Sequence, residues 1–292
     1  MICKLCPREC GASRENGDVG FCGQQRKARV AKIYLHPYEE PVLSGEKGSG
    51  TIFFCGCSLR CVFCQNREIS HGDVEGTEYT AAKLAEAMLG LQRAGAANIN
   101  LVTAAHFADT VAEALESVRG DLAIPVVYNS SGYESLQTLR RLSGLIDIYM
   151  PDFKYISSEL AAEYSAAPDY PEVATVAIKE MYAQVGKCVF DADGNMTRGM
   201  IVRHLVLPSC RKDSIEVLKT LARILPVEDI LLSLMSQYTP DFAPADAPKN
   251  LRRRITKFEY DSVVDVAVSL GFKGFIQSHD SAKSSYTPNF RE

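Results

Sequence analysis

The 292-residue chain has no run of the ~18 apolar residues that a membrane-crossing helix needs, and its first residues, MICKLCPREC, carry no basic stretch followed by an apolar run and a small-residue cleavage site. A membrane protein and a secreted one are therefore not expected, and the cytoplasm is. There is no internal repeat at a fixed period, no low-complexity tract and no heptad run, so a solenoid, a disordered tail and a coiled coil are not expected either. A global basic field is also missing. The net charge is -4, which gives nucleic acid nothing to follow, and the local runs RKARVAK (26–32) and LRRRITK (251–257) read as solvated surface.

What the chain does have is sulfur. Its 46% hydrophobic content supports one large core and one principal domain. Ten cysteines in a reducing compartment are better read as metal ligands or catalytic groups than as a disulfide framework. Eight of them fall into two groups, Cys3, Cys6, Cys10 and Cys22, then Cys55, Cys57, Cys61 and Cys64; only Cys188 and Cys210 stand apart.

Residues 1 to about 25 show little apolar periodicity, and residues 26–50 carry the turn formers HPYEEP and GEKGSG, which reads as a cysteine-tied extension and a linker. The expected division is 1–47 for extension and linker, and 48–292 for the main domain with a C-terminal extension. From residue 51 the pattern changes to short apolar runs: TIFFC (51–55), NINLVT (98–103), IPVVYN (124–129), LIDIYM (145–150), MIVRHLVLP (200–208) and ILLSLM (230–235), with GFIQ (274–277) as a weaker seventh. Between them lie amphipathic helical stretches. Thr80 is placed to cap a helix whose Leu84, Met88 and Leu91 share a face and which Gly95 ends; Asp213 is placed to cap another bearing Ile215, Leu218 and Leu221, with Glu216 three residues on.

Apolar strands alternating with helices call for an α/β fold, a parallel sheet that is either open and doubly wound or a full or partial barrel. In both, ligands bind at the carboxyl ends of the strands. Polar residues collect there: Cys57 to Cys64, Thr103 to His106, Asn129 to Gly132, Asp152 and Lys154, Gln237 and Tyr238, with Arg203 inside the fifth strand.

Cys57, Cys61 and Cys64 have the spacing C-x3-C-x2-C. Such a loop can wrap three corners of a cubane [4Fe-4S] cluster, whereas structural zinc more often takes two ligand pairs. Three thiolates leave one iron open to a small molecule. Cys55, two residues earlier in the strand, reads as a small core hydrophobe, and His204 as a packed histidine. Cys3, Cys6, Cys10 and Cys22 offer four ligands in about twenty residues, enough for a closed zinc site or a second [4Fe-4S] cluster; spacing does not choose between them.

The C-x3-C-x-Φ-C pattern, with Phe63 before the last cysteine and Gln65-Asn66 after it, resembles the radical S-adenosylmethionine (SAM) superfamily. GSGTIFF, SLRCVFCQN, NINLVT, YMPDFKY, RHLVLP and LMSQY further resemble the activating enzymes of glycyl radical enzymes, in the branch of pyruvate formate-lyase activating enzyme homologues. The resemblance implies a partial or near-complete (β/α) barrel of the radical SAM type. It implies a [4Fe-4S] cluster on Cys57, Cys61 and Cys64, with SAM chelating the open iron and cleaved to a 5'-deoxyadenosyl radical that abstracts hydrogen from substrate. Phe63 would lie near the adenine and Arg203 would contact SAM. Asn129, Ser130, Met150 and Asp152 stand where the activases hold a monovalent cation beside the SAM carboxylate. AAHF follows NINLVT where the activases carry Gly-Gly-Glu for the SAM amino group, so Thr103 or His106 is expected to take that contact. A flavodoxin or ferredoxin type reductant is implied, and a protein or peptide substrate; a small metabolite, or a non-enzymatic zinc or electron-carrier module, stays open.

Overall fold

The sheet is built from strands that are apolar on both faces, and this is what lets helices cover it outside while loops and side chains fill it inside. The computed structural model describes residues 2–244, 247–278, 288 and 290. Among the described residues ten strands lie in chain order: β1 (Ala28–His36), β2 (Ser49–Phe54), β3 (Thr77–Tyr79), β4 (Ile99–Val102), β5 (Val126–Ser130), β6 (Ile148–Pro151), β7 (Val189–Phe190), β8 (Met196–Leu205), β9 (Leu231–Met235) and β10 (Lys273–Ile276). Strands β2, β4, β5, β6, β8, β9 and β10 run parallel, side by side in that order. β1 runs antiparallel along β2, β3 antiparallel along β1, and β7 pairs with β8. Among the described residues no pairing joins β10 to β3, so this is an open, partial barrel, with the seven parallel strands that the apolar runs predict.

The helices are α1 (Pro41–Ser44), α2 (Arg67–Ser70), α3 (Ala81–Arg93), α4 (Ala108–Val118), α5 (Leu136–Arg141), α6 (Ser158–Ser165), α7 (Tyr170–Val185), α8 (Arg211–Ile224) and α9 (Lys257–Ser269). Each parallel crossover contains at least one of them, as parallel pairing requires. The main core lies between these helices and the outer sheet face, where Ile52, Leu101 and Tyr128 meet Leu84, Leu115 and Ile178. α3 behaves as expected: the Thr80 hydroxyl accepts from the Lys83 N–H, Leu84, Met88 and Leu91 are buried, and Gly95 takes a positive φ just past the end.

Two expectations change. Residues 28–36, within the expected linker, form β1, because Arg29 and Lys32 alternate with residues that turn inward. α8 begins at Arg211, so Asp213 sits inside its first turn and does not cap it; the carboxylate instead accepts the backbone N–H groups of Ile156 and Ser157, pinning the loop after β6.

The segment 37–44 enters the barrel. Leu43 packs on Val127, Ile148, Met150 and Ile201, while the Asn98 amide donates to the Leu43 carbonyl at 2.6 Å and the Asn100 amide to Glu39 at 2.6 Å.

Candidate active site

β2 ends at Phe54 and delivers the chain to Gly56, whose φ of +82 makes the turn that starts the cysteine loop. The loop runs across the carboxyl end of the barrel. Its three sulfurs each meet a hydrogen-bonding group: the Leu59 N–H lies 3.4 Å from Cys57 Sγ, the Ser165 hydroxyl 3.0 Å from Cys61 Sγ and the Ser70 hydroxyl 3.3 Å from Cys64 Sγ. Burial, and then the neighbouring charge of Cys61, pushes the Cys57 and Cys64 thiols up from their ordinary range. Crowded buried thiolates need a positive partner and donors to the sulfurs, and an iron-sulfur core supplies the first while this loop supplies the second. The donor set therefore fits a cluster. Among the described residues no three Cys, His, Asp or Glu side chains enclose a single metal-ion position as they stand; a cubane places its ligands on separate irons.

The three cysteines open onto a cavity of about 170 Å³ at the strand ends. Phe63 lies in its wall, edge-on to Tyr164 and Tyr238. Thr103, Asn129, Ser130, Asp152 and Arg203 also line it, each from the end of a different strand save the adjacent pair on β5. Thr103 takes φ +61, a left-handed conformation rare for a β-branched residue, and its N–H donates to the Asn129 carbonyl at 2.9 Å.

Charge is concentrated on one side of this cavity. Asp152 Oδ1 accepts from Arg203 Nε at 2.9 Å and Oδ2 from Lys154 Nζ at 2.6 Å, and Arg203 Nη2 donates to Asn129 Oδ1 at 2.6 Å. Burial alone would raise the Asp152 carboxyl, but Arg203 and Lys154 outweigh it and hold the group below the usual carboxylate range. Burial acts against Lys154 in turn, and Asp152 outweighs it, carrying the ammonium to about 12.

As they stand, these contacts engage the residues expected at the monovalent-cation site. Both Asp152 oxygens and the Asn129 carbonyl are occupied by Lys154 and Arg203, the Ser130 hydroxyl donates to Glu134 at 2.6 Å, and Met150 is buried among Val127, Ile148 and Ile201 without reaching the cavity wall. Lys154 and Arg203 bring to these oxygens positive charge of the kind a hard cation would supply. His106 lies apart from these residues. It turns away from the cavity, with Nε2 2.7 Å from the Cys55 carbonyl oxygen, while Arg14 donates to its own carbonyl, and burial lowers its imidazole to about 4. Of the two residues expected at the SAM amino group, the structure brings Thr103 to the cavity. Cys55 is fully buried outside the cavity wall, its sulfur against Gly76, and His204 is buried with Nδ1 on the Phe153 carbonyl.

Sequence reasoning missed three acids. Glu134 is buried beneath the cavity wall, accepts from Ser130 and Tyr128, and is raised by burial to about 7. Glu39 and Glu40 reach the barrel interior from the HPYEEP turn: Glu39 lies 3.8 Å from Arg203, and burial raises the Glu40 carboxyl. With His36, Tyr38 and the edge of β10 they wall a second chamber, which shares Asn129, Arg203, Met235 and Gln237 with the first. No local pattern announces Glu39, since its partners Asn100 and Arg203 lie more than sixty residues away.

The fold has known counterparts. The chain superposes on Streptococcus suis SuiB bound to precursor peptide SuiA with a TM-score of 0.52 and 12% identity over 77% of this chain and 48% of that one. SuiB bound to S-adenosylmethionine gives a TM-score of 0.50 and 11% identity over 76% and 48%. A cysteine-to-serine mutant of spore photoproduct lyase gives 0.53 and 11% identity over 82% of this chain and 76% of that one. The chain spans about half the length of the SuiB chains it matches. In sequence it is 27% identical over 279 residues to uncharacterized protein MJ0674 of Methanocaldococcus jannaschii, covering 91% of this chain and 74% of that protein. No protein-family model matches. The expected partial (β/α) barrel is the fold of this chain, and SuiB and spore photoproduct lyase share it.

Proposed function

We propose that this chain is a radical SAM enzyme that holds a [4Fe-4S] cluster on Cys57, Cys61 and Cys64 and cleaves SAM in the cavity beside it. The observation that carries the reading is the placement of three thiols, Cys61 buried and Cys57 and Cys64 half-buried, each beside a hydrogen-bonding group, on a loop that opens onto the strand-end cavity. When bound and reduced, the cluster supplies the electron that splits SAM into methionine and a 5'-deoxyadenosyl radical.

The chain's own residues bind, orient and shield. Arg203 and Lys154 hold Asp152 ionised and give the cavity two fixed cations, suited to the SAM carboxylate. Phe63, with Tyr238 behind it, offers an aromatic wall for the adenine. Thr103, Asn129 and Ser130 present oxygens at the rim for the amino group and ribose. Substrate takes the second chamber, which shares Arg203 and Asn129 with the first and so lies within reach of a radical formed there. Hydrogen abstraction from a peptide or protein is favoured because a protein of the same fold, SuiB, binds its precursor peptide. A flavodoxin or ferredoxin type donor in the cytoplasm would reduce the cluster.

Anaerobic incubation with a glycyl radical enzyme and SAM tests the substrate class. An EPR doublet from a glycyl radical supports an activase; 5'-deoxyadenosine without a doublet, increased by a small-metabolite fraction and unchanged by peptides, overturns the peptide reading while leaving SAM cleavage intact.

A further inference from the structure

Residues 2–27 hold four cysteines and no strand or α-helix, only a short 3-10 turn at Arg14–Asn16. Such a segment buries too little apolar surface to order itself. It is nevertheless bound to the cysteine loop along its length. The Cys57 N–H donates to the Cys22 carbonyl at 3.2 Å, and Arg60 Nη2 to the Phe21 carbonyl at 2.8 Å. Arg8 Nε reaches the Ser58 carbonyl at 2.7 Å, and Arg8 also donates to the carbonyls of Ser165 and Ala166, beside the hydroxyl that meets Cys61. A Cβ on Gly56 would stand 2.4 Å from the Cys22 carbonyl oxygen, so the two backbones touch.

The four thiols of this lobe lie in one neighbourhood, although no three of them enclose a single metal-ion position as they stand. A Cβ on Gly20 would meet Cys22 Sγ at 3.3 Å and Cys10 Sγ at 3.5 Å, so the glycine leaves room between them. Cys6 lies within the electrostatic reach of Cys22 and Cys3, and Cys22 within that of Cys3 and Cys10. Arg14 Nη1 points at Cys3 Sγ from 3.6 Å. The Glu9 N–H donates to the Cys6 carbonyl, closing a tight turn after the first cysteine pair. All four are free thiols.

We infer that Cys3, Cys6, Cys10 and Cys22 bind a thiophilic metal centre, an iron-sulfur cluster that takes its ligands on separate irons or a zinc ion on which the four sulfurs would close, and that this centre fixes the lobe as a clasp on the Cys57–Cys64 loop. The metal supplies ordering free energy that the lobe's own packing does not, as in small metal-folded modules. The clasp acts through Cys22, which is at once a ligand and the residue whose carbonyl holds the Cys57 N–H. The inference stands apart from the proposed SAM chemistry, since it concerns a site with no group in common with the cavity.

The test uses the full chain carrying Cys57→Ala, Cys61→Ala and Cys64→Ala together, purified anaerobically, so that no metal on the catalytic loop confuses the count. Elemental analysis is expected to find about one zinc per chain, or about four irons with matching acid-labile sulfide and a charge-transfer absorption. The first outcome makes the centre structural, the second makes it a cluster, and both support the site. A chain with neither metal above background overturns it. Hydrogen exchange in the same triple variant then reads the clasp. Removing the metal with a chelator should speed exchange at the residue-57 amide by about tenfold, the worth of one ordinary hydrogen bond, and reloading with zinc or with ferrous iron and sulfide should restore it. Unchanged exchange at residue 57 overturns the clasp while leaving the metal site standing. Cys6→Ser with Cys22→Ser in the triple background should lose the metal; retention of a full complement contradicts the ligand assignment.

Discussion

Arg203 Nε lies 2.9 Å from Asp152 Oδ1, and the two residues also share a β-bridge between the end of β6 and β8. Backbone pairing thus sets the distance between the guanidinium and the carboxylate before any ligand arrives. With Lys154 on the other oxygen, the acid is fully matched by cations that belong to the chain.

That arrangement predicts SAM binding that does not need an added monovalent cation. Exchanging potassium for tetramethylammonium should change the SAM dissociation constant by no more than about twofold. Lys154→Met frees Asp152 Oδ2 and should make binding potassium-responsive. Titration calorimetry on the cluster-loaded protein checks both, and a tenfold loss of wild-type affinity on removing potassium would contradict the assignment.

Glu134 gives a pH prediction with a definite sign. Its folded pKa, about 7 through burial, lies above the ordinary 4.5, so the folded chain keeps a proton that the unfolded chain releases. Stability is therefore highest below about 4.5 on this group's account, and falls as pH rises toward 7, by roughly 3 kcal/mol. Glu134→Gln should flatten that slope in urea unfolding between those pH values; an unchanged slope would show that another group causes it.

Gly56→Ala should be costly out of proportion to one methyl group. The new Cβ would meet the Cys22 carbonyl oxygen at 2.4 Å and Gln24 Cγ at 2.5 Å, on a residue held at φ +82. About 1–3 kcal/mol of destabilisation is expected, with lower iron content in the catalytic loop. Thermal unfolding and iron analysis measure the two effects, and a variant matching wild type in both would contradict the close packing of lobe and loop.

How far the sequence reveals this molecule depends on the range of the interaction. The parallel strands were legible because runs such as NINLVT and IPVVYN are buried on both faces, and α3 because its cap and its apolar stripe are local. β1 was hidden because Lys27, Arg29 and Lys32 make its sequence look like open surface; in the fold Lys27 and Arg29 pair with Glu75 and Glu78. In the site, the cysteine spacing and the strand-end polar residues could be read directly. What could not be read was direction across the barrel: that His106 turns back to the Cys55 carbonyl, that Met150 joins the inner apolar cluster, and that Glu39 reaches Arg203.

The most direct measurement of the central claim is 5'-deoxyadenosine formation by anaerobically reconstituted protein with SAM and dithionite. Wild type and Cys55→Ala should form it, since Cys55 is buried outside the cavity, and Cys61→Ala should form none. Iron-loaded wild type that yields no 5'-deoxyadenosine, or a Cys61→Ala variant that yields as much as wild type, would contradict the account.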